Sequence, residues 1–258
     1  MTQIPISVTI ITLNEEANLP RTLSSLKWAD EVVVVDSGST DRTVEIAKQA
    51  GAKVLHNNWK GYGQQKNFAQ DQASHNWVLN IDADEVVSPE SAAEIRRAVG
   101  NAEDVAGFYF PRKTFYIGRW IKHGGWYPNY LLRLADKRVS RWTEPSVHEE
   151  WVVQGKTAYL KEPLLHYAFS SIQDQILTNL RFSHLGSQDL KRTGQRPSLC
   201  KLILKPIGKF FETYLIKGGW KDGLAGLIIS VNAAHSMFLK YAYLLESQIT
   251  IKAEDGAS

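Results

Sequence analysis

Up to Gly100 the hydrophobic positions come in short unbroken runs. Residues 6–13 form an almost continuous apolar stretch, rich in β-branched side chains, that stops at Asn14-Glu15-Glu16. Such a run predicts a strand buried on both faces. Leu19, Leu23 and Leu26 then follow a helical spacing, and residues 31–35 give a second buried strand. Val44, Ile46 and Ala47 mark a second helix that closes on Gly51, a natural C-cap. Residues 52–55 predict a third strand, residues 64–72 a helix and residues 77–81 a fourth strand. Strand and helix alternating over short connections is the pattern of a parallel α/β sheet. Ligands of such sheets bind beyond the carboxyl ends of the strands. Three polar clusters stand at those ends: Thr12-Leu13-Asn14-Glu15, Asp36-Ser37 and Asp82-Ala83-Asp84.

Past Gly100 the pattern changes. Residues 105–117, 130–134 and 151–165 read as strands without regular helices between them, a mixed half that completes the sheet and covers the site. From Ser170 the reading is helical. Leu199, Ile203, Ile207, Phe210, Phe211 and Tyr214 share one face, and Lys201, Lys205 and Lys209 stripe the other. Pro206 predicts a break there, or the start of a second piece. Lys191, Arg192, Arg196 and the lysines at 201, 205, 209, 217 and 221 meet one acidic neighbour, Glu212. A basic amphipathic segment with aromatics suits anionic lipid headgroups. The plainer alternative is a helix packed on the rest of the fold with its lysines in solvent. Residues 224–245 predict a further helix, apolar but punctuated by Asn232, His235 and Lys240, which argues for peripheral association over insertion. Three segments result: 1–100, 101–169 and the helical extension 170–258.

Composition narrows the classes. With 258 residues and 43% hydrophobic content, the chain builds one large domain, or one domain with an appendage. The single cysteine, Cys200, excludes an internal disulfide and fits a reducing compartment. Residues 1–5 lack a basic segment leading into an apolar core, so no secretion signal is expected. No uninterrupted run reaches the roughly 18 apolar residues of a spanning helix. Nucleic acid is not an expected partner, because the basic residues lie with amphipathic helices and no recognition motif accompanies them.

The candidate chemistry centres on Asn80-Ile81-Asp82-Ala83-Asp84-Glu85. Three carboxylates in four positions repel one another unless something positive sits among them. Mg²⁺ takes one or two carboxylates and completes its shell with substrate phosphate oxygens. The plainer reading is an acidic turn ahead of a helix, with Ser88-Pro89 as N-cap and first helical position. Trp126 and Tyr127, beside Gly124-Gly125 and Pro128, are predicted to lie in a loop and stack on a sugar ring.

Thr12-Leu13-Asn14-Glu15-Glu16, then Val34-Val35-Asp36-Ser37-Gly38-Ser39-Thr40-Asp41, then Asp82-Ala83-Asp84-Glu85 resembles the family 2 glycosyltransferases of GT-A fold. His123-Gly124-Gly125-Trp126-Tyr127-Pro128, Leu132-Arg133-Leu134, Val147-His148-Glu149 and Leu164-Leu165-His166-Tyr167 resemble the branch containing lipopolysaccharide-core β-1,4-glucosyltransferases. So does the tail, from Lys205-Pro206 through Phe210-Phe211 to Lys217-Gly218-Gly219 and Asp222-Gly223. The resemblance implies a Rossmann-like mixed sheet with 1–100 as nucleotide-sugar half, 101–169 as acceptor half and 170–258 as membrane-associating extension. It implies an inverting transfer of a hexose, glucose from UDP-glucose, onto a lipid-anchored saccharide at the inner face of the cytoplasmic membrane.

Roles follow by position. Thr12, Leu13, Asn14, Glu15, Asp36, Ser37, Lys66, Asn67, Asp82 and Ala83 would line the nucleotide sugar, Asp36 reading uracil or ribose. Asp84 and His166 would hold Mg²⁺ or Mn²⁺. Arg133 would join Trp126 and Tyr127 at the acceptor. Inverting transfer also needs a base for the acceptor hydroxyl. Glu149 is the candidate, with His148 orienting it or touching phosphate; Glu144 and Glu150 are rivals. Asn129 departs from the Asp that often follows Trp-Tyr-Pro in related sequences, which bears on acceptor choice. Two alternatives stand beside this reading. One is a polyprenyl-phosphate sugar transferase of the same fold, whose ionised acceptor needs no base. The other is a haloacid-dehalogenase-like phosphatase, since Asp82-Ala83-Asp84-Glu85-Val86 fits Asp-x-Asp-x-Val, although the later acidic pair it requires is missing.

Overall fold

The computed structural model of the chain describes residues 4–143 and 149–255. These fall into two compact units: Met1–Lys113 with Pro128–Tyr167, and Thr114–Tyr127 with Ala168–Ser258. One boundary falls between residues 167 and 168. The stretch 114–127, by contrast, groups with the C-terminal helices and not with 101–169.

The first unit opens with β1 (Ile6–Thr12), α1 (Leu19–Ser24), β2 (Glu31–Asp36), α2 (Thr43–Gln49), β3 (Lys53–His56), α3 (Tyr62–Gln72) and β4 (Trp77–Asn80). β1 pairs in parallel with β2 on one side and β4 on the other, and β2 with β3. Ile6, Val8, Ile10, Val33, Val34, Val35, Val78 and Leu79 are fully buried, which is why these runs lack polar alternation. The register sets Thr12 against Asp36 and Thr9 against Asn80, so the three predicted polar clusters leave the same edge of the sheet.

The chain continues through β5 (Glu85–Val87), α4 (Pro89–Gly100) and β6 (Val105–Tyr116). Ser88 caps α4, its hydroxyl accepting from the Ser91 amide at 3.1 Å, with Pro89 behind it. After β7 (Arg119–Trp120) come β8 (Asn129–Asp136), β9 (Ser140–Trp142), β10 (Trp151–Val153), β11 (Lys156–Tyr159) and β12 (Leu164–His166). The sheet order is β3-β2-β1-β4-β8-β6-β12-β5. β8 runs antiparallel to β4 and β6, and β12 antiparallel to β5. The sheet is therefore mixed, as expected, but the predicted strand 151–165 is three short ones.

Glu31 ties the start of this sheet together. Its carboxylate accepts from the Ser7 hydroxyl of β1 (2.5 Å) and from the Ser74 amide and hydroxyl (2.7 and 2.8 Å) ahead of β4. Burial pushes the carboxyl up, but the hydrogen bonds from Ser7 and Ser74 outweigh it and hold it below the usual glutamate range. A depressed carboxyl stabilises the fold above its unfolded value, about 4.3, and the contribution is lost as pH falls through the folded value. Glu31→Gln is expected to lose about 1–2 kcal/mol at pH 7 in urea unfolding. Its deficit against wild type should shrink on acidification below about pH 4.

In the second unit, β7 turns back on the end of β6, and α5 (Ile172–Arg192), α6 (Leu199–Phe211) and α7 (Gly223–Asp255) follow. A π-helical turn (Glu212–Ile216) and a 3₁₀ turn (Gly219–Asp222) join α6 to α7. Pro206 sits inside one continuous α6, where the expected break would have been; the helix tolerates one missing main-chain hydrogen bond. A Cβ on Gly226 would lie 1.8 Å from the Gly219 carbonyl oxygen, so only glycine lets α7 start against that turn. Gln175 Oε1 of α5 accepts from Asn232 Nδ2 of α7 (2.5 Å) and from the Tyr116 hydroxyl. Among the described residues one helix, over Gly219–Gln248, has the length and composition to cross a membrane.

Candidate functional site

The β1 and β2 ends brace each other. Asn14 adopts a left-handed conformation (φ 57°), which its side chain tolerates. Its amide donates to Ser39 Oγ (2.8 Å), and its Oδ1 accepts from the Thr40 amide (2.8 Å). The Glu15 amide donates to Thr43 Oγ1 (2.7 Å) and the Glu16 amide to Asp41 (3.1 Å). Asp36, 4% exposed, accepts from the Gly38 and Ser39 amides and from the Ser39 and Thr12 hydroxyls. Burial raises its carboxyl, yet the bonds from Ser39 and Gly38 bring it below the usual aspartate range. A carboxylate has about four acceptor positions, and this loop fills them. Asp36 therefore shapes the binding edge, and the direct reading of uracil or ribose expected of it has no acceptor position left in this conformation. Ser37 Oγ accepts from Gln65 Nε2 (3.0 Å), and Leu13 is half exposed at 51%.

The acidic hexapeptide is held by buried cations. Arg133, reaching from β8 with its side chain 5% exposed, meets Asp82 Oδ2 at 2.5 Å and Glu85 Oε1 at 3.1 Å. Arg112 lies 3.7 Å from the same Glu85 oxygen. Burial raises Asp82, but Arg133 and then Lys66 outweigh it and hold the carboxyl far down. Burial also pushes Glu85 up, with Arg133 opposing and Asp82 adding to the rise. Glu85 opens β5, is fully buried, and accepts from the Asp82 amide at 3.0 Å. Ala83 is buried, and its carbonyl accepts from Thr22 Oγ1 of α1 (2.6 Å).

Asp84 is treated differently. The β5–β12 pairing sets His166 against Glu85, and His166 Nε2 lies 3.3 Å from Asp84 Oδ2. Asp84 Oδ1 is buried and without a hydrogen-bond partner. An orphaned carboxylate oxygen in a buried site is costly unless something electropositive meets it. Glu15 reports the same excess of negative charge: burial raises its carboxyl, Asn18 opposes, and Asp84, Asp41 and Asp82 push it further up. The rim clusters therefore converge electrostatically. Among the described residues no three His, Cys, Asp or Glu side chains gather as a self-sufficient metal cage. One carboxylate and one imidazole beside an orphaned oxygen fit a hard divalent cation that takes its remaining ligands from phosphate and water.

A second pair stands by this cluster. Lys66 of α3, 6% exposed, places Nζ 2.8 Å from Glu149 Oε1 and 4.3 Å from the centroid of the Trp142 ring. Because the same ammonium helps hold Asp82 ionised, the pair sits within electrostatic reach of the acidic edge.

Several predicted roles move. Asn67 clasps the Trp142 backbone, donating to its carbonyl and accepting from its amide (both 2.9 Å), so its amide is used to position the ring beneath Lys66. Arg133, expected at the acceptor, is instead the buried counterion of Asp82 and Glu85. Trp126 and Tyr127 belong to the second unit, where Trp126 packs on Tyr116 and Phe169 at 5.7 and 6.0 Å between ring centroids. His148, and the rival base Glu144, lie outside the described residues. Sequence reasoning missed Arg112, and also Arg21, whose guanidinium stacks 4.0 Å over the Tyr167 ring next to His166. Neither stands in a motif; Arg112 comes to the site through β6, Arg21 through the packing of α1.

The chain is similar to known proteins along most of its length. The profile of glycosyl transferase family 2 matches residues 7–153, the span that carries the acidic edge and the Lys66–Glu149 pair. The lipopolysaccharide core biosynthesis glycosyltransferase LpsC of Rhizobium meliloti is 32% identical over 95% of this chain and 93% of its own. An uncharacterized glycosyltransferase of Rickettsia felis is 34% identical over 96% of this chain and 92% of its own. Among solved structures, glucosyl-3-phosphoglycerate synthase from Mycobacterium tuberculosis, in complex with Mn²⁺, UDP and glucosyl-3-phosphoglycerate, is 29% identical over 45% of each chain, with a TM-score of 0.37. A profile match over more than half the residues, with relatives aligned nearly end to end, places the chain in glycosyltransferase family 2, on a mixed α/β sheet of GT-A type.

Proposed function

We propose that the protein is a metal-dependent inverting transferase. It moves a hexose, glucose in the first instance, from its UDP donor onto a lipid-anchored saccharide of the lipopolysaccharide core type. It works peripherally at the cytoplasmic face of the membrane. The observation that carries the metal-assisted reading is the orphaned Oδ1 of Asp84 beside His166 Nε2. The acceptor class is supported by the likeness to LpsC along nearly the whole chain. Family membership sets aside the phosphatase alternative.

The residues divide the work. The braced β1 and β2 loops, with Asn14 and Glu15 on one side and Ser37 and Ser39 on the other, shape the edge against which the nucleotide lies. Asp82, kept ionised by Arg133, accepts from the donor sugar's hydroxyls and fixes its orientation. Asp84 and His166 would hold Mg²⁺ or Mn²⁺. Bound there, the cation supplies the positive charge that stabilises the departing diphosphate. The acceptor oxygen attacks the anomeric carbon as the bond to the diphosphate breaks, and its proton passes to Glu149. Lys66 holds Oε1 of that carboxylate, so Oε2 is the oxygen that takes the proton.

UDP release from purified protein tests this reading, using UDP-glucose and other UDP-hexoses with Mg²⁺ or Mn²⁺, with and without deep-truncated lipopolysaccharide. The expected result is acceptor-dependent release that stops on chelation, with inverted anomeric configuration in the product. Glu149→Gln should lower kcat about 10²–10⁴-fold with little change in donor KM. No UDP release with any donor, or full activity under chelation, would sink the proposal.

A further inference from the structure

Helix α6 buries none of its thirteen residues. Leu199, Ile203, Ile207 and Phe211, four apart along one side, are 68, 59, 49 and 50% exposed. The apolar surface continues past the helix through Leu215 (52%), Ile216 (82%), Trp220 (53%) and Leu224 (68%). It is organised, not scattered. The π-helical turn and the 3₁₀ turn carry the chain around while keeping these side chains outward. Gly219 and Gly226 fix that turn on α7, since neither has room for a Cβ.

The opposite side of α6 is cationic. Lys201, Lys205 and Lys209 line a groove of about 520 Å³ together with Leu204 and Met237. Lys221 leans over the Trp220 ring at 5.5 Å. Between Leu199 and Leu224 five lysines face Glu212 and Asp222, a net +3 that equals the formal net charge of the whole chain, and Asp222 is buried. A second copy of the chain would cover the apolar side but leave the positive charge of the segment uncompensated. An anionic lipid leaflet satisfies both halves of the pattern. Its acyl boundary takes the leucines, isoleucines and Phe211, and its headgroups take the lysines. At 1.5 Å per residue α6 is about 20 Å long, and apolar side chains along one flank suit a helix lying in the interface plane.

We infer that α6 and the turn that follows it form a monotopic docking face for anionic bilayers, with Phe211, Ile216 and Trp220 entering the leaflet and Lys201, Lys205 and Lys209 holding headgroups. The inference deepens the membrane association proposed above and does not depend on the transfer chemistry.

Co-sedimentation of the full chain with vesicles tests it, using phosphatidylcholine alone against equimolar phosphatidylcholine and phosphatidylglycerol. No nucleotide sugar is needed, so the outcome is separate from that of the transfer assay. Wild type should sediment with the anionic vesicles and weaken as salt shortens the Debye length to about 3 Å. The double variant Phe211→Ser/Ile216→Ser should bind them at least about tenfold more weakly. Lys201→Gln/Lys205→Gln/Lys209→Gln should erase the preference for anionic lipid. All the changed positions lie on α6 and its turn, none of them buried, so circular dichroism and thermal midpoint should match wild type. Wild type left in the supernatant with both vesicles would overturn the inference. Variants that sediment like wild type would overturn it too. A dimer in light scattering that Phe211→Ser/Ile216→Ser dissolves, without vesicle binding, would assign the face to a second copy instead.

Discussion

Arg133→Met is expected to lower unfolding stability by about 3–5 kcal/mol, a large share of the 5–15 kcal/mol typical of a folded domain. Methionine fills much the same volume, so the loss is electrostatic. It takes from fully buried Glu85 its nearer guanidinium, leaving Arg112 at 3.7 Å, and strips Asp82 of its 2.5 Å partner. Burial works against the charge on Arg133 itself, but Asp82 and Glu85 together raise its affinity for the proton above the ordinary arginine value, so the guanidinium is locked in its charged form. Adding Glu85→Gln to Arg133→Met should recover part of the loss, because one uncompensated charge goes with it. Urea unfolding of the two single variants and the double reads this as a coupling energy. Strict additivity would mean that the cluster does not act as a unit. If Arg133 were an acceptor contact, Arg133→Met would instead raise acceptor KM at unchanged stability.

How much of this was legible in the sequence follows from physical causes. Strands buried on both faces leave a continuous apolar run, and 6–13 and 31–35 announced β1 and β2 almost to the residue. Polar side chains gathered where such runs stop mark the binding edge of a parallel sheet, which is why Asn14, Asp36 and Asp84 stood out. β5 was invisible because it has three residues and begins on the last of three acidic positions. Without β5 nothing placed His166 next to Asp84 except resemblance, since antiparallel pairing across the chain leaves no local trace. Arg133 sits between leucines on β8, and nothing in Leu-Arg-Leu says whether the guanidinium faces substrate or counterions. For Asn67 a polar residue on a helix looked like a ligand, whereas tertiary proximity gave its amide the Trp142 backbone. α6 was the reverse case. Its amphipathic period was plain in the sequence, but only the folded chain shows that the apolar side is bare.

Asp84→Asn is expected to lower kcat by about 10³-fold, the loss that follows when several kcal/mol of cation stabilisation leaves the departing diphosphate. The substitution keeps the shape of the side chain and removes one charge. An amide oxygen is a weaker ligand than a carboxylate, and the amide NH₂ repels a cation from the other position. The same change should leave folding stability unchanged or increase it. Asp84 Oδ1 is buried without a partner, and its charge adds to that of Asp82 on Glu15, so removing it relieves like-charge repulsion. A side chain whose loss stabilises the fold while disabling transfer is retained for its ligand and not for packing. Titration calorimetry with UDP in the presence of Mn²⁺ separates the two effects without requiring turnover. Wild type should bind UDP more tightly with Mn²⁺ than without, and Asp84→Asn should show the same weak affinity in both. Should Asp84→Asn keep the Mn²⁺-dependent gain, the cation is held elsewhere and the orphaned oxygen needs another explanation. Should it keep kcat as well, transfer in this chain does not run through Asp84 at all.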